Sequence, residues 1–194
     1  MPNLKKLAAV EPDERQMAAL KTRVAHLLPD VRAEFYQQMA ESWQGGDEPY
    51  DAVLLFHCLY YIMERPTLLK KLFDKIVANG GLVCILTTPC DIQEPTMLSQ
   101  VMARLHILEY NLFDNLDGVQ VHNLLTSAGF LKCYQRPLPV QINVEEPNDD
   151  LMSVFVYWSE GLLSLDQVRE AAKEVFGSLK YIPNETWFGA FKKP

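Results

Sequence analysis

The sequence predicts an open α/β sheet with right-handed crossovers, and three observations predict it. Two near-continuous apolar runs, at 52–56 and 82–87, have the composition of parallel strands covered by helices on both faces. Segments with apolar residues at helical spacing alternate with the strand-like runs, and proline and glycine punctuate the junctions. The chain has 194 residues, of which 48% are hydrophobic and 22% charged, so a single domain over 1–194 has enough apolar surface for a core. That composition excludes disorder and fibrous repeats.

The first strand is expected over Leu4 to Val10, stopping at Glu11-Pro12 because proline carries no ladder donor. Asp13 then suits an N-cap, and Met17, Leu20, Val24, Leu27 and Leu28 mark a helix that Pro29-Asp30 breaks. Val31 to Tyr36 alternates as a second strand, and Glu41 to Pro49, with Gly45-Gly46, reads as a loop. Ala52 to Phe56 is read as a central strand. Pro66 fits the first turn of a helix with Leu68, Leu69, Leu72, Phe73, Ile76 and Val77 on its buried face, closed by Asn79-Gly80-Gly81 before the strand Leu82 to Thr87.

The second half is less regular. Helices are expected over Met97 to Leu108, Val119 to Ala128, Asp149 to Gly161 and Leu165 to Phe176. Leu131 to Val144 reads as a long strand interrupted by Pro137 and Pro139, and Thr186 to Phe191 as a last strand.

Eighteen Lys and Arg against 25 Asp and Glu give 18 − 25 = −7, a field that repels phosphate backbones and anionic membranes. Neither nucleic acid nor a membrane is expected as a partner. Cys58, Cys84, Cys90 and Cys133 form no C-x-x-C pair, so neither a zinc pattern nor a disulfide framework is expected. With no signal-like apolar run near the start, the expectation is a soluble cytoplasmic protein.

In an open α/β sheet ligands sit beyond the carboxyl ends of the strands, which directs attention to Glu11, to Met39 and Ala40, and to Phe56 through Tyr61. An acid at such a strand end can accept from both hydroxyls of a ribose. Glu11 equally suits a helix-start acid that favours the macrodipole. Phe56 reads as core packing, Tyr60 and Tyr61 as core packing or as an aromatic wall, and His57 as a structural group or a neutral acceptor.

Glu11-Pro12 before a helix, Asp51 leading an apolar strand to His57, and Leu59-Tyr60-Tyr61 form an ordered set. That set resembles the class I S-adenosylmethionine-dependent methyltransferases and, more narrowly, the histamine N-methyltransferase family. The resemblance runs from about Leu4 to the C-terminus and is weaker in the second half. It implies S-adenosylmethionine as cofactor, with Glu11 on the ribose hydroxyls, Gln16 lining the pocket, Met39 and Ala40 beside the adenine and Phe56 against the cofactor. It also implies a small amine or imidazole substrate contacted by His57, where the family usually has Gln, and by Asn184 or its neighbour Glu185. Methyl transfer to an amine is an in-line displacement that needs alignment and no catalytic triad.

The chain departs from that family at its front. None of the nine glycines makes G-x-G, and only a few residues precede what matches the family's second strand. Met1-Pro2-Asn3 reads as a turn entering that strand, so the expectation is an N-terminally truncated sheet lacking the first strand and the glycine-rich loop, with weak or absent turnover. Closing the gap would need direct pairing of the flanking strands or strand exchange between chains. A non-catalytic remnant that binds protein, including self-association through the exposed sheet edge, is the alternative. A nicotinamide-dependent enzyme would need the same missing glycine fingerprint.

Overall fold

A computed structural model describes residues 4–87, 97–106, 116–143, 156 and 162–194. For Tyr60, 97–99, 140, 142–143 and 182–185 only the backbone is described. The expected helix over 149–161, the turn at Met1-Pro2-Asn3 and Cys90 lie outside the described residues, apart from Val156.

Strand β1 (Lys6–Val10) leads through helix α1 (Glu14–Leu27) to β2 (Arg32–Tyr36), which pairs with it in parallel. Asp13 caps α1 as expected, its side chain accepting from the Gln16 backbone N–H at 2.8 Å. Strand β3 (Tyr50–Phe56) is followed by a 3₁₀ turn at Leu59–Tyr61, helix α2 (Arg65–Lys71) and a π turn at Leu72–Ile76. Strand β4 (Val77–Thr87) pairs in parallel with β3. It begins five residues before the expected Leu82, because Val77–Gly81 extends the strand and the tight bend is absorbed by Gly80 at φ +79°. Helix α3 (Met97–Arg104), helix α4 (Gly118–Ser127), strand β5 (Leu131–Asn143), helix α5 (Leu165–Phe176) and strand β6 (Tyr181–Lys192) complete the order.

Pro137 and Pro139 do not interrupt β5, which pairs with β6 across its whole length. β5 is the outer strand of its sheet, where a missing backbone donor is tolerated. β6 runs antiparallel to both β4 and β5 and is longer than the expected Thr186 to Phe191.

The sheet comes in two pieces, β1-β2 and β3-β4-β6-β5. β3 is therefore an edge strand of its sheet and not a central one. Among the described residues it is also covered on one face only. Leu55 is buried and Val53 half-buried, whereas Leu54 is 58% and Phe56 50% exposed on the opposite face. An apolar run does mark a strand, but nothing in it records whether both faces or both edges find partners.

The covered face carries the main core. Val83 and Ile85 of β4 and Phe191 and Trp187 of β6 pack with Leu68 and Leu69 of α2, Val121 and Leu125 of α4, and Phe130. Gly118 and Gly189 lie against the Trp187 ring, where a Cβ would fall 2.5 Å and 2.3 Å from it. A smaller cluster, with Val101 of α3 and Val168, Ala171, Ala172 and Phe176 of α5, joins those two helices.

β1 and β3 run side by side in the same direction. At their starts the Lys6 ammonium stands 5.5 Å from the Tyr50 ring, and beyond their ends Glu11 is near enough to Cys58 to add to the rise of its thiol pKa. They do not pair with each other, and their Cα atoms stay beyond 8 Å over almost all their length. Paired strands lie about 4.8 Å apart, so direct closure of the gap, one of the two routes considered from the sequence, is not what the chain does.

Candidate functional site

The carboxyl ends of β1, β2 and β3 and the end of β4 at Thr87 form one rim. At the end of β1 the Glu11 backbone N–H donates to the Tyr36 carbonyl at 3.2 Å, holding the turn against β2. Its Oε1 accepts from the Asp13 backbone N–H at 2.9 Å, so Glu11 does belong to the helix start. Oε2 has no partner among the described residues, so the same carboxylate can still receive a ligand donor. Both readings of Glu11 are thus compatible with one geometry. Gln16 lies in the first turn of α1 with an exposed side chain.

Met39 and Ala40 follow β2, with Met39 49% exposed. Sequence reasoning missed what fixes this segment. Lys71, at the end of α2, donates to the carbonyls of Ala40 at 3.3 Å, Glu41 at 2.7 Å and Trp43 at 2.5 Å. Burial pushes the Lys71 pKa down, an effect that Glu41 opposes. A lysine ending a helix looks like a macrodipole partner in sequence, and nothing local signals a loop some thirty residues away.

Trp43, which is buried, stands between Tyr36 of β2, at 5.6 Å between ring centroids, and Tyr50 of β3, at 5.8 Å. This aromatic row spans the two sheets on the covered face. Beside it Lys6 pairs with Glu34 at 3.2 Å, and Glu34 also accepts from the Tyr36 hydroxyl at 3.0 Å.

At the end of β3, His57 adopts φ +51°, a left-handed conformation that costs a non-glycine residue about 1–2 kcal/mol. Its N–H donates to the Leu86 carbonyl at 2.8 Å, so the twist comes as the chain leaves the ladder. Surrounding protein lowers the His57 pKa and favours neutral imidazole. Burial pushes the Cys58 thiol up to about 11, with Glu11 adding to the shift. Tyr61 is 40% exposed in the 3₁₀ turn that follows.

Asn184 lies in β6 opposite Val140. Thr87 pairs with Trp187, so Asn184 extends three residues past the carboxyl end of β4 and reaches the same rim by register. The structure thus brings Glu11, Met39, Ala40, Phe56, His57 and the Asn184 backbone to one end of the sheet. Gln16 lies one helical turn away from Glu11. Among the described residues no cluster of His, Cys, Asp or Glu could hold a metal ion, and no described helix is long and apolar enough to cross a membrane.

No family model matches this chain, and no curated protein matches it. Solved structures do. One is a Bacillus halodurans C-125 protein provisionally assigned as a methyltransferase, similar at TM-score 0.65 and 12% identity over 100% of this chain and 85% of that one. A second is the N-methyltransferase NodS of Bradyrhizobium japonicum in complex with S-adenosyl-L-homocysteine, at TM-score 0.55 and 12% identity over 100% and 69%. A third is a Thermotoga maritima S-adenosylmethionine-dependent methyltransferase described as a possible histamine N-methyltransferase, at TM-score 0.52 and 14% identity over 96% and 72%. The chain has the class I methyltransferase fold.

Proposed function

We propose that this chain is an S-adenosylmethionine-dependent N-methyltransferase domain acting on a small amine or imidazole such as histamine. The observation that supports it best is the Glu11 carboxylate at the rim of this fold, with one oxygen engaged by Asp13 and the other open to a ribose hydroxyl. The residues fit the nucleoside end of the cofactor. Met39 and Phe56 offer exposed apolar surface for an adenine and its ribose, and Gln16 offers an exposed amide. For the methionine end, the described residues hold no glycine-rich cradle.

Bound, the cofactor supplies an electrophilic methyl group on a sulfonium. The chain's own part is to position and desolvate the amine so that its lone pair lies in line with that methyl. Neutral His57 can accept a hydrogen bond from the amine, and Asn184 is the second contact this reading assigns. On methylation the nitrogen gives up a proton, which His57 or water would accept.

The test is calorimetric titration of the 194-residue chain with S-adenosylhomocysteine, beside Glu11→Ala and a radiolabelled methyl-transfer assay with histamine. Micromolar binding that Glu11→Ala reduces at least about tenfold is expected, with weak turnover. A folded chain that binds no S-adenosylhomocysteine overturns the reading.

The alternative, a non-catalytic domain that binds protein, gains support from one observation, the edges of β1 and β3 that do not pair with each other among the described residues.

A further inference from the structure

Residues 4–36 fold on themselves. β1 and β2 form their own two-stranded ladder, α1 packs on β2, and beyond isolated approaches no element of this unit packs along an element of the larger sheet. The buried residues of α1, Met17 and Val24, belong to neither core cluster among the described residues. The ion pairs of Glu34 with Lys6 at 3.2 Å and with Arg32 at 2.9 Å, and the bond it accepts from the Tyr36 hydroxyl, also stay inside the unit. What crosses to the larger sheet is packing: Ala8, Val10 and Tyr36 lie against the main core, and the Lys6 ammonium stands over the Tyr50 ring. A segment of this size is below the roughly 40 residues at which a domain sustains a core of its own, so its order depends on that packing.

Trp43 is the centre of the joint. Its buried ring stands between Tyr36 of the unit, at 5.6 Å, and Tyr50 of β3, at 5.8 Å. The indole Nε1 is buried without a hydrogen-bond partner among the described residues, so ring packing holds the side chain. The backbone around it is fastened to the larger sheet. Lys71 of α2 holds its carbonyl and those of Ala40 and Glu41. Gly45, at φ +95°, lies where a Cβ would come 3.3 Å from Ile76, and Gly46 where one would come 2.6 Å from the Tyr50 hydroxyl. Trp43 is thus a fixed ring on one body, and the other body rests Tyr36 on it.

This joint divides the rim, because Glu11 and Gln16 are carried by the unit whereas Phe56 and His57 end β3. We propose that Trp43 is a positioning residue for the rim, the latch that holds the β1-α1-β2 unit, and with it Glu11, against the sheet that carries Phe56 and His57. When the latch releases, residues 4–36 unfold together while the larger sheet stays folded. The ligand's part in this rests on the methyltransferase reading: a nucleoside held by both Glu11 and Phe56 touches both bodies, binds the latched form alone and closes the latch by mass action.

The test is amide hydrogen exchange of the full chain, resolved by residue, with and without S-adenosylhomocysteine. In the free chain the amides of β1, α1 and β2 are expected to share one opening, at least about tenfold more frequent than that of β4 and β6. Val83→Ala, inside the larger sheet, should speed β4 and β6 and leave the unit unchanged. Trp43→Ala should speed the unit at least about tenfold, and Trp43→Phe, which keeps a ring between the tyrosines, should restore most of its protection. Lys6→Met, which takes the ammonium off the Tyr50 ring and leaves the core intact, is the milder variant and should speed the unit about threefold. S-adenosylhomocysteine at ten times its Kd or more should slow the unit at least about tenfold. A single opening rate throughout the free chain overturns the proposal, as does an unchanged unit in both Trp43→Ala and Lys6→Met. So does slowing by bound S-adenosylhomocysteine that is confined to β4 and β6, since the ligand would then touch the larger body alone. Failure to bind S-adenosylhomocysteine overturns the functional reading, and exchange of the free chain and its variants still decides the latch.

Discussion

The Lys71 ammonium lies 2.5 Å from the carbonyl oxygen of Trp43, which joins the end of α2 to the loop after β2. The same ammonium reaches the carbonyls of Ala40 and Glu41, so one cation holds three carbonyls of the irregular segment 40–43. Hydrogen bonds to a charged donor are worth more than neutral ones, and here no alternative donor to these carbonyls is described. Lys71→Met is expected to lower unfolding stability by about 2–3 kcal/mol, measured as a reduced urea midpoint at unchanged slope. Because Trp43 sits at the anchored end, its fluorescence should also shift toward that of an exposed indole. An unchanged midpoint would show that the loop holds its shape without the ammonium.

His57 should give the fold an acid limb. Its pKa in the folded chain is lowered by desolvation, so the unfolded chain binds the proton more readily. Stability on this account is complete above the ordinary imidazole value of 6.5 and is lost as pH falls from there toward the lower folded value. Replacing His57 with Gln, which does not titrate, should flatten the difference in melting temperature between about pH 7.5 and pH 5. An equally steep limb in His57→Gln would assign it to other groups.

Backbone strain at the same residue makes a separate prediction. At φ +51° a β-branched side chain is strongly disfavoured and glycine is relaxed. His57→Val should therefore be less stable than His57→Gly by about 2 kcal/mol, read from paired denaturation curves. Equal stabilities would mean that the turn relaxes to another conformation at little cost.

Cys58 bears on the alkaline side. Its thiol is pushed up to about 11 from 9.0, so the folded chain keeps a proton that the unfolded chain releases. The stability this confers is fully present below pH 9 and is lost as pH rises through 11, by at most about 2–3 kcal/mol. Cys58→Ala should lack that limb, and in the unsubstituted chain Cys58 should alkylate far more slowly than the exposed Cys133 at neutral pH. Comparable alkylation rates for the two thiols would refute this.

Gly118 opens α4 directly against the Trp187 ring, where an added Cβ would fall 2.5 Å from three ring atoms. The ring is buried and Gly189 lies against its far end, at the six-membered ring, so it has little room to retreat. Gly118→Ala is expected to cost about 1–3 kcal/mol through overpacking and to change tryptophan emission, measured in the same denaturation series. A neutral result would mean that the start of α4 shifts as a unit.

Most of the elements were legible from local pattern. The Asp13 cap, the apolar spacing of α1 and the span Leu165 to Phe176 of α5 depend on neighbours within a few residues, and their physics is written in the same stretch of chain. The strand-end position of Glu11 and of His57 follows from proline and from the end of an apolar run. Sheet order is another matter. Ala52–Phe56 has the composition of a central strand, yet its neighbour on one side is absent from the described residues and its outer face lies open. Composition reports what a strand would prefer to touch, and only the assembled sheet decides what it touches.

The rim divides in the same way. Residue type alone marks Glu11, Met39, Phe56 and His57 as candidates, because the chemistry of an acid, an apolar surface and an imidazole travels with the side chain. Asn184 joins them only through the antiparallel register of β6 on β4, and Lys71 finds its carbonyls only once α2 packs beside the loop after β2. The sequence by itself determined the fold class and the nature of these groups, since both arise from local periodicity and side-chain chemistry. Which groups meet, and which strands neighbour each other, was decided by tertiary structure, because long-range register and strand neighbours are set by the packing of the whole core.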